Sequence, residues 1–372
     1  MGSVLFPNEI FWGERLRLAR EFRGLTQTEL AEKVAGSCAL ISLCENGKKR
    51  EPTRDLVAAC ADVLGFLPEF FYGPVEEIFR EDECSFRHRR GTPENTKTQI
   101  RAHATLIGIV IQRLRSSFKF PEVDVPHIPV RSVEEVDRAA EECRKHWKIS
   151  LDSPIKSIGR LLERSGVIIV GHLVKSGKVD AFSRYGKTSM IFLNRSIPSP
   201  SRWHFDIAHE CGHLVMHPGI PTGTVDTEAA ADRFASAFLL PKTAFSREFS
   251  AAPFSWPHVF NLKRRWQASA ACIVRRAYDL DLISAVDYRR SFQYLSAKGW
   301  NKGEPHEPEF QEPELLSTTL GALGKKVELT LQDLCTDLKF KRETFLEVTG
   351  TAIPMPTPKA KLTEVIPFKN FA

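Results

Sequence analysis

Residues 204–218, His204-Phe205-Asp206-Ile207-Ala208-His209-Glu210-Cys211-Gly212-His213-Leu214-Val215-Met216-His217-Pro218, decide how the chain is read. The run predicts a helix over 202–217, halted by Pro218-Gly219. Within it His209 and His213 stand at i and i+4, about 40° apart around the axis and roughly 6 Å along it, so both imidazoles can reach one ion. Glu210 lies at the edge of that face. There it can take a proton from a water molecule at the metal instead of binding the metal itself. Zinc suits such a donor set and makes a nucleophilic water available near neutral pH. Gly212 has no side chain, which admits close packing behind the site.

A site with three protein ligands needs one more donor. A second helix is predicted over 227–240, stopped by Pro241, and carries Glu228 and Asp232 on one face. Glu228 suits the third ligand, with Asp232 behind it accepting the N–H of a ligating histidine. His217 reads either as a helix-end residue or as a group with a ligand or substrate role. Three short strands are expected at 167–170, 179–182 and 190–194. The last is expected to be an edge strand that binds extended substrate through main-chain hydrogen bonds. Tyr185, His217 and Arg202 all remain open as the group that stabilises an oxyanion.

Outward from this region, residues 11–72 read as a run of short helices. Trp12, Leu16 and Ala19 recur at helical spacing, and Thr26-Gln27-Thr28-Glu29 forms a capping box. Ala35-Gly36-Ser37 turns the chain and Ser37 caps a third helix containing Ile41. Pro52-Thr53 opens a fourth helix, whose apolar stripe is expected to be Leu56, Ala59 and Val63. Two capped helices around a turn are a helix–turn–helix, whose second helix enters the major groove. Ser37, Cys38, Ala39 and Ser42 would then face base edges, while Gln27, Lys48, Lys49 and Arg50 would touch phosphates. A second basic cluster, Lys263-Arg264-Arg265-Trp266 followed by Arg275-Arg276, also suggests two helices around a turn. Its plainer reading is a solvated face packing on the metal domain.

Bulk properties exclude more than they assign. The 372 residues carry a formal net charge of +6, and within 1–55 basic and acidic residues nearly balance, so any case for DNA rests on local pattern. Eight scattered cysteines contain no CxxC pair, which argues against a disulfide framework and a thiolate zinc site and suits a reducing cytoplasm. No apolar run is long enough to span a bilayer, and no membrane association is expected.

Two resemblances follow from these residues. Arg17-x-x-Arg20, Gly24-Leu25-Thr26-Gln27, Leu30-Ala31, Ile41-Ser42, Glu45-x-Gly47 and Pro52 resemble the XRE (Cro/phage-repressor-like) helix–turn–helix family. Val179-Asp180-Ala181-Phe182, the run 205–214 and the run from Glu228 to Pro241 resemble the ImmA/IrrE metallopeptidase family. The second resemblance implies a zincin fold with His209, His213 and Glu228 on zinc and Glu210 as catalytic base. It also implies cleavage of a helix–turn–helix repressor. Cys211 stands where an aliphatic residue is usual, and a thiol near zinc would make the site redox-sensitive.

The chain is therefore expected to be α+β and mainly helical. An all-α helix–turn–helix domain (1–75) should lead through a helical connector (76–131) to a zincin-like metallopeptidase domain with a small sheet (132–300). Residues 301–372 carry no readable role. The expected partners are double-stranded DNA and a repressor protein as substrate, with a homodimer compatible. A regulator whose metal domain only senses a ligand or binds a partner is the alternative, and self-cleavage within 80–131 a third reading.

Overall fold

The computed structural model describes residues 10–49, 51–74, 84–88, 93–171, 179–186, 188–194, 199–300, 303–325, 327–350 and 366–367. The fold is α+β and mainly helical, and the chain divides into two compact units. The first contains 1–81, 91–120 and 317–372; the second contains 82–90 and 121–316.

The first unit begins with four helices, α1 (Gly13–Phe22), α2 (Gln27–Lys33), α3 (Cys38–Glu45) and α4 (Arg54–Leu64). Thr26 and Glu29 form the expected capping box, and Ser37 and Thr53 each accept a backbone N–H at the start of α3 and α4. Gly13 is required where it stands, because a Cβ there would lie 2.0 Å from the Cys44 carbonyl oxygen. The stripe expected on α4 is displaced by one residue. Val57, Cys60, Ala61 and Leu64 are buried, while Leu56, Ala59 and Val63 are only partly covered. A 22-residue helix, α5 (Glu94–Arg115), packs on α1 and buries Ile107, Val110, Ile111 and Leu114.

In the second unit β1 (Cys84–His88) belongs to a four-stranded sheet. A short β2 (Phe118–Lys119) lies in the first unit and pairs in parallel with Ile366–Pro367, here β6. The second unit continues with α6 (Val133–His146), α7 (Ile158–Arg164), β3 (Ile168–Val170), β4 (Val179–Arg184) and β5 (Met190–Leu193). The sheet order is β1-β4-β5-β3, with β1 antiparallel to β4, β4 antiparallel to β5 and β5 parallel to β3. Phe182 and Phe192 are register partners whose rings stack at 4.3 Å. This order corrects one expectation: β5 is paired on both sides and is not an edge strand. Its backbone groups are spent on β4 and β3.

Against this sheet lies α8 (Pro200–Met216), followed by α9 (Val225–Leu239), α10 (Lys242–Phe249), α11 (Trp256–Trp266), α12 (Ala270–Asp279) and α13 (Ala285–Ala297). Ile207, Ala208, Cys211 and Val215 of α8 join Phe234 and Phe238 of α9 in one core. The basic cluster on α11 and α12 divides, with Lys263 and Arg276 buried and Arg264, Arg265 and Arg275 exposed. Lys263 and Trp266 are fully buried, and Arg276 is held by Asp137 at 3.0 Å and by the Leu240 carbonyl.

Residues 303–314 run without regular structure across the second unit, and two carboxylates on this strap meet Lys263. Glu304 lies 2.6 Å and Glu307 3.0 Å from its Nζ. Glu304 also accepts the Ala270 and Ala271 N–H groups at the start of α12, and Glu307 the Ser201 N–H at the start of α8. Acids at helix N-termini complement the helix dipole. The chain then enters α14 (Leu315–Gly321), α15 (Leu331–Leu338) and α16 (Arg342–Thr349), within the region that carries no readable role in the sequence. Helices α15 and α16 pack on α5 in the first unit. No helix among the described residues is long and apolar enough to cross a membrane.

Candidate metal centre and DNA-reading face

Two helices build the centre. His209 and His213 project from successive turns of α8, which is buried almost throughout its second half. Ser199 precedes α8 without capping it through its side chain, and the strap's Glu307 receives Ser201 N–H at 2.8 Å instead. Thr224 and Thr227 cap the start of α9, so Glu228 sits in the first turn and Asp232 one turn further on. The two helices come together at Gly212. A Cβ there would lie 3.0–3.2 Å from the side chain of Phe234, so only glycine fits without displacement.

The three donors predicted from the sequence are brought together. His209 Nε2 and His213 Nε2 are 3.1 Å apart, and each is 3.3 Å from a Glu228 carboxylate oxygen. A tetrahedral zinc ion with bonds of about 2.0–2.1 Å sets its ligand atoms about 3.3–3.4 Å apart. The two histidine nitrogens stand near that spacing, and the Glu228 carboxylate straddles them, with Oε2 3.3 Å from His209 and Oε1 3.3 Å from His213. The protonation pattern agrees. Asp232 Oδ1 lies 2.8 Å from His209 Nδ1, and a carboxylate only accepts, so the ring proton is on Nδ1 and Nε2 presents a lone pair. Lone pairs and a carboxylate facing one another are mutually repulsive unless a cation lies between them. The residues present thus fit a zinc ion.

Electrostatics follow from burial and proximity. Burial pushes the Glu228 carboxyl up, but hydrogen bonds and positive charge from His209 and His213, when those rings are protonated, prevail and hold it well below the usual carboxylate range. Burial also pulls the His213 imidazole down, although Glu228 opposes this. An ionised Glu228 and a neutral His213 are the forms in which these groups bind a metal. Glu210, next to the first histidine, is fully buried.

His217 does not join the three donors. It ends α8 and sets its Nδ1 3.0 Å from His213 Nδ1, on the far side of that ring from Glu228. Its imidazole is pulled down to about 4 by burial and by His213. Among the other oxyanion candidates, Tyr185 is exposed and Arg202 lies 3.7 Å from Asp206. Cys211 faces the core, fully buried, and burial raises its thiol well above the ordinary value. A buried thiol of that kind is inert, which removes the expected redox sensitivity.

On α2 and α3 the predicted reading positions divide. Ser37, Cys38 and Ala39 are exposed at the start of α3, as are Lys48 and Lys49 beyond its end, and Ser42 is half-buried. Arg50 lies outside the described residues. Gln27 donates to Glu45 at 2.7 Å, in a network that the sequence did not disclose. Glu45 is buried and receives Arg20 in a two-point contact, 2.5 Å from Nε and 2.8 Å from Nη2. This pair ties α1 to the end of α3 and fixes the angle at which α3 is presented.

Comparison with known proteins agrees with both modules. Residues 13–69 match the family model of a helix-turn-helix domain, and residues 162–278 match that of the IrrE N-terminal-like domain. The chain thus carries a helix–turn–helix module followed by an IrrE-like module. No curated protein matches the chain. Among solved structures, a Mycobacterium tuberculosis transcriptional regulator is similar at 17% identity and a TM-score of 0.26, over 47% of this chain and 50% of that one. The alignment therefore spans half of that protein's length.

Proposed function

We propose that this chain is a DNA-binding transcriptional regulator whose second unit is a zinc-dependent endopeptidase acting on a helix–turn–helix repressor. The observation that carries the reading is the convergence of His209 Nε2, His213 Nε2 and the Glu228 carboxylate at 3.1–3.3 Å, with Glu210 buried beside them. The helix–turn–helix match and the resemblance to ImmA/IrrE proteins support a regulator as substrate.

When bound, zinc would polarise a peptide carbonyl and lower the pKa of water. The chain's own residues supply the rest. Asp232 orients His209, and Glu228 completes the donor set in its ionised form. The Glu210 carboxylate accepts a proton as the water oxygen attacks the carbonyl carbon, then returns it to the amide nitrogen as the C–N bond breaks. Burial keeps bulk water away from Glu210 and strengthens its interaction with developing charge.

A second reading has its own observation. A cavity of about 550 Å³ in the second unit includes Asp232 in its wall with Arg202, Phe205, Arg275 and Trp300, a volume in the small-molecule range. On that reading the metal domain senses a ligand without hydrolysis. Glu210→Gln separates the two. Wild-type protein loaded with zinc should cut a candidate helix–turn–helix repressor, with products identified by mass spectrometry, and the variant should bind the metal equally but cut nothing. Unchanged cleavage by Glu210→Gln refutes the peptidase mechanism.

A further inference from the structure

We infer that His217 is a positioning residue for the metal centre, holding His213 in the tautomer that can bind an ion. This rests on the metal reading of His209, His213 and Glu228.

The two ligating histidines are anchored differently. To offer Nε2 to an ion, a neutral imidazole must carry its proton on Nδ1, and that proton needs an acceptor. For His209 the acceptor is the Asp232 carboxylate at 2.8 Å. For His213 the group at hydrogen-bond distance from Nδ1 is the ring of His217, Nδ1 to Nδ1 at 3.0 Å. The bond can form in one direction only if His213 is to serve as a ligand: His213 Nδ1–H donates, and His217 Nδ1 accepts with its own proton on Nε2.

Its place in the fold makes the contact rigid. His217 is the C-cap of α8, and its backbone N–H donates to the His213 carbonyl at 3.0 Å. The last helical turn therefore sets the two side chains one above the other, with ring centroids 5.1 Å apart. Pro218 follows at once and cannot extend the helix. A neutral ring in this position orients His213 without adding negative charge to a centre that already holds Glu228 and Asp232. The three histidines at 209, 213 and 217 form one stripe, but the third serves the second and is not a ligand.

Two substitutions test this. Asn places its side-chain carbonyl oxygen close to where His217 Nδ1 lies and keeps an acceptor, whereas Phe fills the same space and offers none. Zinc affinity of the full-length chain, measured by competition with a chromogenic chelator, should fall about 10- to 100-fold in His217→Phe and stay near wild type in His217→Asn. The visible absorption of the Co2+-substituted protein should keep its band positions in His217→Asn, because the ligand set is unchanged. Metal-free protein should melt at the same temperature in both variants. Equal affinity of His217→Phe and wild type overturns the proposal. So does an affinity of His217→Asn as low as that of His217→Phe, or a shift of its cobalt bands, which would make His217 a ligand. A wild-type chain that takes up no zinc overturns the metal reading itself, and this inference with it.

Discussion

Removal of the Glu45 carboxylate should loosen the DNA-reading module far more than its single position suggests. Glu45 accepts three short hydrogen bonds, two from Arg20 and one from Gln27, inside a site where its side chain has no solvent exposure. Glu45→Ala leaves the Arg20 guanidinium buried without its main counter-charge. Breaking a buried pair in this way costs about 3–5 kcal/mol. Arg20 keeps the Leu25 carbonyl at 2.8 Å and Glu21 at 3.8 Å, which favours the low end, about 3 kcal/mol. Hydrogen exchange of peptides spanning 13–45 in the full-length chain reads this locally, and about 3 kcal/mol appears as roughly 100-fold faster exchange. Arg20→Met with Glu45→Leu removes both charges and should recover all but about 1 kcal/mol. Exchange less than about fivefold faster in Glu45→Ala would refute the reasoning. A double variant as loose as the single would show that the pair is not what holds α1 to α3.

Two further outcomes are expected. Gly212→Ala forces a methyl into the 3.0–3.2 Å gap before Phe234, so it should lower stability by about 1–3 kcal/mol and weaken zinc binding by moving α9 with Glu228, measured by urea unfolding and chelator competition. Glu163 is buried, and burial pushes its carboxyl up from 4.5 to about 8 despite the Leu315 N–H that it accepts. Between those values the folded chain holds a proton that the unfolded chain has lost. Stability should thus fall as pH rises through that window, by up to about 1.4 kcal/mol per pH unit. Glu163→Gln cannot ionise and should flatten this slope in urea unfolding at pH 5 and pH 8; an unchanged slope assigns the dependence elsewhere.

The clustering of the candidate metal ligands is legible in the sequence because its logic is local. His209 and His213 share a helix face, as do Glu228 and Asp232, and a period of 3.6 residues can be read without knowing the fold. Capping at Thr26, Ser37 and Thr53 was legible for the same reason. What escaped the sequence depends on distance along the chain or on ring orientation. Lys263 meets Glu304 and Glu307 across 41 and 44 residues, from a strap with no periodicity to announce it. Strand β1 reaches β4 from nearly a hundred residues earlier, and without it the sheet order could not be drawn. On α4 the apolar set includes both Leu56 and Val57, and the stripe was read one residue out of phase. The contact between His217 and His213 required knowing where α8 stops.

The first unit is assembled from segments far apart in the chain. Phe340 packs edge-on against Phe66 at 5.3 Å, Thr344 receives Arg23 at 2.7 Å, and His103 Nε2 lies 2.7 Å from the Val348 carbonyl. Arg23 and Thr344, 321 positions apart, thus share one packed unit, and the helix–turn–helix cannot complete its packing until the segment 331–349 has been made. Scission within 121–316 would not set the module adrift either, because its two halves would remain joined through α5, α15 and α16 without a covalent link. The segment 331–349 thus helps hold the helix–turn–helix in shape from far along the chain.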